Sequence, residues 1–166
     1  PHILAFLDPE LSMLVENHQG VLSRIAGLFS GRGYNLESIT AGVTTDPAIT
    51  RITLVCQGDD NVFAQIKKQL HKLIDVIKLT DLSEIPALHR ELALIRVRAQ
   101  SPDRGEIFQV ADVFRARVLD VGLESMVMEL TGASEKIDDF LSVLLPYGVL
   151  EVARSGLISM EKSKKK

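Results

Sequence analysis

The chain has 166 residues, of which 46% are hydrophobic and 25% charged, with a formal net charge of −3. That balance supports a folded globular protein and argues against the strongly basic surface of a nucleic-acid-binding domain. Cys56 is the single cysteine, so no intramolecular disulfide can form, and no apolar run approaches the roughly 20 residues of a membrane span.

Residues 1–7 lack the basic region and small-residue cleavage site of a secretory signal, which predicts a cytoplasmic location. Residues 11–17 read as a strand. Gly20 precedes a helix in which Leu22, Ile25, Ala26 and Phe29 form a stripe at i, i+3, i+4 and i+7. Gly31-Arg32-Gly33 ends that helix, because glycine readily adopts the left-handed conformation at a helix C-terminus. Residues 35–45 alternate as a strand, with Ile39, Ala41 and Val43 on one side. Asp46-Pro47 makes a turn, and residues 49–56 form a third strand, where Cys56 reads as a small core residue. A second helix covers residues 60–72, with Phe63, Ile66, Leu70 and Leu73 inward, and residues 74–80 close the unit as a strand.

Residues 83–90, with Pro86, read as a linker. The pattern then recurs: a strand at 91–99, a helix capped by Asp103 with Ile107, Val110, Ala111 and Phe114 inward, and strands at 117–122 and 124–131. A helix capped by Ser134 follows, with Ile137, Phe140, Leu141 and Leu144 inward, then a final strand at 148–159. Lys162–Lys166 reads as a frayed, solvated end. The expected fold is α+β, with two tandem ferredoxin-like βαββαβ domains at 10–82 and 91–160. Each would be an antiparallel sheet with both helices on one face. The other face of the first sheet carries Thr, Ser and aliphatic residues, which predicts a cover and a homodimer.

No nucleophile elbow, His-Glu-x-x-His or phosphate-binding loop is present. His2, His18, His71 and His89 have no metal-like spacing and read as surface or linker positions. Asp59-Asp60 and Asp138-Asp139 read as acidic groups near helix starts, suited to the helix dipole. The third strand carries none of the aromatic residues with which RNA-recognition modules stack bases. These features predict neither a catalytic site nor a metal site.

Glu16-Asn17-His18-Gln19-Gly20-Val21-Leu22 is the most informative segment: a strand end, a tight loop and a helix start. Unpaired N–H groups and partial positive charge at a helix N-terminus suit a carboxylate. Gly20 allows close approach to the backbone. Asn17 offers an acceptor for an ammonium group, and Asn35 is a second such residue. Leu14, Val21, Leu36 and Ile39 are nearby apolar residues suited to a branched aliphatic side chain. On spacing alone, the plainer reading, with Asn17 as a helix cap and Gly20 as a simple turn, is the favoured one.

The run Leu14–Thr40, LVENHQGVLSRIAGLFSGRGYNLESIT, resembles the ACT-domain signature of the small regulatory subunits of acetolactate synthase. Asp46-Pro47, Arg51-Ile52-Thr53, Gln65–Leu73 with Asp75-Val76, Arg90–Val97 and Glu151–Gly156 extend the resemblance over residues 11–156. The resemblance implies a chain without its own cofactor that dimerises through its ACT domains. It implies association with a large catalytic subunit that uses thiamine diphosphate, FAD and Mg²⁺ in branched-chain amino acid biosynthesis. It also implies feedback inhibition by L-valine, bound between ACT domains by Asn17, Gly20 and Ser23 of one chain and Asn35 of the other, with the neighbouring apolar residues Val21 and Leu36 counted in the expected site. On the residues alone, two further readings stay open: a free-standing amino-acid sensor and an enzyme built on the same fold.

Overall fold

A computed structural model describes residues 8–164. The signal-segment expectation falls on residues 1–7 and lies outside the described residues, as do Lys165 and Lys166 of the basic tail. The first half runs β1 (Glu10–Glu16), α1 (Val21–Arg32), β2 (Asn35–Val43), β3 (Ile49–Gln57), α2 (Asp60–Leu70) and β4 (Val76–Asp81). Its strands form an antiparallel sheet in the order β2-β3-β1-β4. The second half runs β5 (Ala87–Arg98), α3 (Arg104–Phe114), β6 (Arg117–Val121), β7 (Ser125–Gly132), α4 (Ser134–Leu144), a 3-10 turn at Leu145–Tyr147, β8 (Val149–Arg154) and β9 (Ile158–Glu161). Here the order is β6-β7-β5-β8, with β9 also on β5. The βαββαβ pattern thus occurs twice.

Strand alternation places Leu11, Met13 and Val15 of β1 beside Ile52, Leu54 and Cys56 of β3 on one face. Val21, Ile25 and Phe29 of α1 and Phe63, Ile66 and Leu70 of α2 complete that core. The α1 stripe therefore falls at i, i+4 and i+8, and Leu22 and Ala26, expected inward, face out. Gly33 caps α1 at φ 67°, and its N–H meets the carbonyl of Ser30. Asp59 caps α2 by accepting from Val62 N at 2.8 Å. The opposite sheet face carries Ser12, Thr53 and Thr80 in one cross-strand row, with Thr40 opposite Thr53. Arg51 on this face donates to Ser12 Oγ at 2.9 Å. The Ser and Thr expected on that face are there, together with Leu14 and with two charged residues, Arg51 and Lys78, that the expectation did not include.

The second core joins Ala93, Ile95 and Val97 of β5 to Met126, Met128 and Leu130 of β7, under Ile107, Ala111, Ile137, Phe140 and Leu144. Several details differ from the sequence reading. Residues 87–90, read as linker, open β5, and the strand expected at 148–159 is interrupted between β8 and β9. By contact, residues 89–156 form one compact unit, and residues from 157 onward group with the first. Ser134 is the first residue of α4, after Ala133 as N-cap, and its Oγ donates to Glu91. Asp103 is the N-cap of α3 but makes no side-chain cap bond. Asp138 and Asp139 lie within α4, and Asp138 pairs with Arg154 at 2.6 Å, so the dipole reading fails there.

Candidate functional site

β1 ends at Glu16, opposite Ile49 of β3. Asn17 N–H donates to the Ala48 carbonyl at 2.8 Å, and Asn17 Nδ2 donates to the Pro47 carbonyl, also at 2.8 Å. The side chain thus fastens the β1–α1 loop to the β2–β3 turn. Asn17 is not the cap of α1, which is Gly20 with no side-chain cap bond. With Nδ2 committed to Pro47, the carboxamide oxygen has a fixed orientation as an acceptor.

Gly20 has φ 90° and ψ −7°, a left-handed conformation that favours glycine. The helix after it follows the general rule that the first N–H groups lack intrahelical partners. Val21 contributes its N–H to this end, while its side chain is buried in the core. Ser23 is exposed on the first turn. The loop, the helix start and the Asn17 side chain therefore lie at one end of the first sheet.

Asn35 and Leu36 are elsewhere. Asn35 opens β2 opposite Gln57, and its Nδ2 donates to Gln57 Oε1. Leu36 packs on the edge of the core. Asn17 lies at the Ala48 end of β3 and Asn35 at the Gln57 end. Nine residue steps of strand separate those ends, on the order of 30 Å. A single chain does not bring the two asparagines together.

The sequence reading missed the partners of His18. Its Nε2 lies 2.8 Å from Asp75 Oδ1 and 3.3 Å from Glu16 Oε2, and its Nδ1 lies 3.2 Å from the Gln19 carbonyl. The other Asp75 oxygen accepts from Arg24 Nε at 2.7 Å. The Asp75 side chain is only 4% exposed. Arg24 holds the Asp75 carboxyl below the usual carboxylate range, with His18 adding to the effect. Ligand-type atoms of Glu16, His18 and Asp75 fall within 4.8 Å of one another. The 2.8 Å separation between His18 and Asp75 is that of a hydrogen bond. Residue 75 is remote in sequence, so no local motif announces the cluster. The nearest signal was Asp75-Val76 within the family resemblance.

Cys56 is buried at 1% exposure, and desolvation pushes its thiol up to about 12. It is an inert core residue, in line with the sequence reading.

Two sheets, each with two helices in the order βαββαβ, define a tandem α+β protein whose first unit has the architecture of an ACT domain. Residues 11–78 match the family model of the AHAS small subunit-like ACT domain. Residues 90–163 match that of the small subunit of acetolactate synthase. The chain is 45% identical over 156 residues to the probable acetolactate synthase small subunit of Archaeoglobus fulgidus, covering 94% of this chain and 98% of that one. It is 48% identical over 153 residues to the probable acetolactate synthase small subunit of Methanothermobacter thermautotrophicus, covering 92% and 91%. The crystal structure of the acetolactate synthase small subunit from Thermotoga maritima superposes with a TM-score of 0.85 at 39% identity, covering 95% of this chain and 98% of that chain. The chain belongs to the family of acetolactate synthase small subunits.

Proposed function

We propose that this chain is a non-catalytic regulatory subunit of acetolactate synthase. It binds L-valine across a pair of its own ACT domains, activates the large catalytic subunit and makes that subunit responsive to valine. The thiamine diphosphate, FAD and Mg²⁺ of the reaction belong to the catalytic partner. The observation that carries this reading is the placement of Asn17 and Asn35 at opposite ends of β3. β2 is an edge strand of its sheet. Antiparallel pairing of two β2 edges about a two-fold axis reverses one sheet relative to the other. It sets Asn35 of a second copy near the Asn17 end of the first. Leu22, Ile39 and Val43, exposed at 49%, 40% and 60%, supply apolar surface for that association.

In this arrangement the valine carboxylate meets the N–H groups after Gly20, and its ammonium meets the asparagine carbonyl oxygens. Burying the isopropyl group contributes about 2–2.5 kcal/mol. Two or three charge-assisted hydrogen bonds add about 1.5–3 kcal/mol each, less ordering costs. A dissociation constant on the order of 10–500 μM follows. Inhibition requires valine to favour one dimer arrangement over another by about 1–3 kcal/mol.

The test is calorimetric titration with L-valine, with D-valine as control, alongside assay of a co-purified catalytic subunit. Saturable binding of the L form, with valine-dependent loss of activity only when this chain is present, supports the proposal. Equal inhibition of the catalytic subunit alone would overturn it.

A further inference from the structure

We propose that His18 is a positioning residue for the amino-acid site and acts as its imidazolium, so that effector binding is coupled to proton uptake at this side chain. The inference rests on the amino-acid reading above. Among the described residues, the groups that face the ring nitrogens of His18 are acceptors: the Gln19 carbonyl at Nδ1, and the Asp75 and Glu16 carboxylates at Nε2. Neutral imidazole has one N–H and one lone pair. A neutral ring therefore sets a lone pair against oxygen on one side, and only the doubly protonated ring donates on both.

His18 follows Asn17 directly and precedes Gly20 by two residues, so its bonds hold the loop between these two groups. The anchor is firm. Asp75 is buried, Arg24 occupies its second oxygen, and Asp75 O accepts from Glu16 N at 2.9 Å. The charged groups facing His18 are Glu16 from β1, Asp75 from the turn into β4 and Arg24 from α1. Carboxylates and guanidinium groups ordinarily keep their charge between about pH 6 and about pH 8, the interval in which histidine changes its own. The Gln19 carbonyl first, and then the Asp75 carboxylate, hold His18 above its ordinary value against desolvation and Arg24.

The sign follows from the charged form being the one that orders the loop. Affinity is highest below the His18 pKa and falls as pH rises through it. Loss of the proton frees the ring from one partner and loosens the backbone that presents Asn17 and Gly20.

The experiment is calorimetric titration of the full chain with L-valine at about pH 6 and about pH 8, for wild type, His18→Gln and His18→Lys. Wild-type affinity is expected to weaken about threefold to tenfold over that interval. His18→Gln is expected to be flat at the weak level, and His18→Lys, with a permanent charge, flat near the tight level. A wild-type affinity that does not change with pH, or an unchanged slope in His18→Gln, overturns the inference and leaves the amino-acid reading standing. Absence of wild-type L-valine binding at both pH values overturns that reading and takes this inference with it.

Discussion

Arg24 Nε lies 2.7 Å from Asp75 Oδ2, joining the first turn of α1 to the turn that enters β4 across 51 residues of sequence. The same guanidinium lies under Gly20, where an added Cβ would sit 3.3 Å from Arg24 Nη1. One buried carboxylate thus organises both the charge and the shape of the α1 start. Arg24, the largest influence, and then His18 lower the Asp75 pKa. A depressed carboxyl contributes stability that is fully present above its unfolded value near about 3.9 and is lost as pH falls through the folded value. Asp75→Asn is therefore expected to melt below wild type near neutral pH, with the gap closing on strong acidification. Thermal melts across that range check it, and a gap that widens in acid would contradict it.

Gly20→Asp places a side chain on a residue with φ 90°, at a backbone cost of about 1–3 kcal/mol. It also puts negative charge at the position proposed above for the effector carboxylate. The expected outcome is loss of the valine response with activation of the catalytic subunit retained. Gly20→Ala carries the strain without the charge, and should keep part of the response. Dose–response curves with the holoenzyme distinguish the two, and unaltered inhibition in Gly20→Asp would remove the carboxylate from this position.

In the second unit Arg154 spans two carboxylates of different exposure. Its guanidinium pairs with Glu91, which is 5% exposed at the side chain, and with Asp138, which is 62% exposed. Removing the arginine strands a buried charge, whereas removing Asp138 gives up only a solvated pair. Arg154→Ala is expected to cost about 2–4 kcal/mol, and Asp138→Asn less than about 1 kcal/mol. Urea denaturation of both variants measures the asymmetry.

Cys56 lies in the first core with its thiol pushed up to about 12. Thiolate is the reactive form, so labelling by a thiol reagent at neutral pH should follow unfolding of the first unit. Its rate should rise with denaturant along the same curve as loss of structure. Rapid labelling of the native chain would place Cys56 at the surface.

The doubled βαββαβ order was legible because hydrophobic periodicity reports which face of each element is buried. The glycine stop at Gly33 and the acidic helix start at Asp59-Asp60 were legible because their chemistry is local, although the capping bond of Asp59 was not read. Three features were not. Leu22 and Ala26 fit an inward stripe by spacing, but the interior selects Val21, Ile25 and Phe29, and no local pattern separates two stripes so close in phase. The strand at 148–159 breaks before Gly156, whose φ is 81°, and its apolar alternation continues across the break. The His18 cluster depends on Asp75 and Arg24 arriving from separate elements, and pairings between distant residues leave no trace in spacing. Of the expected site, Asn17, Gly20, Val21 and Ser23 gather at one end of the first sheet, while Asn35 and Leu36 stand at the other end in the same chain.

That separation makes the most direct test a mixing experiment with Asn17→Ala and Asn35→Ala, each titrated with L-valine alone and then together after subunit exchange. If the site spans two chains, each variant alone fails to bind. The mixture then regains about a quarter of wild-type capacity, because half the dimers are mixed and each carries one intact site of two. Continued absence of binding in a mixture shown to exchange subunits, or binding retained by both single variants, would contradict a valine site shared between two ACT domains.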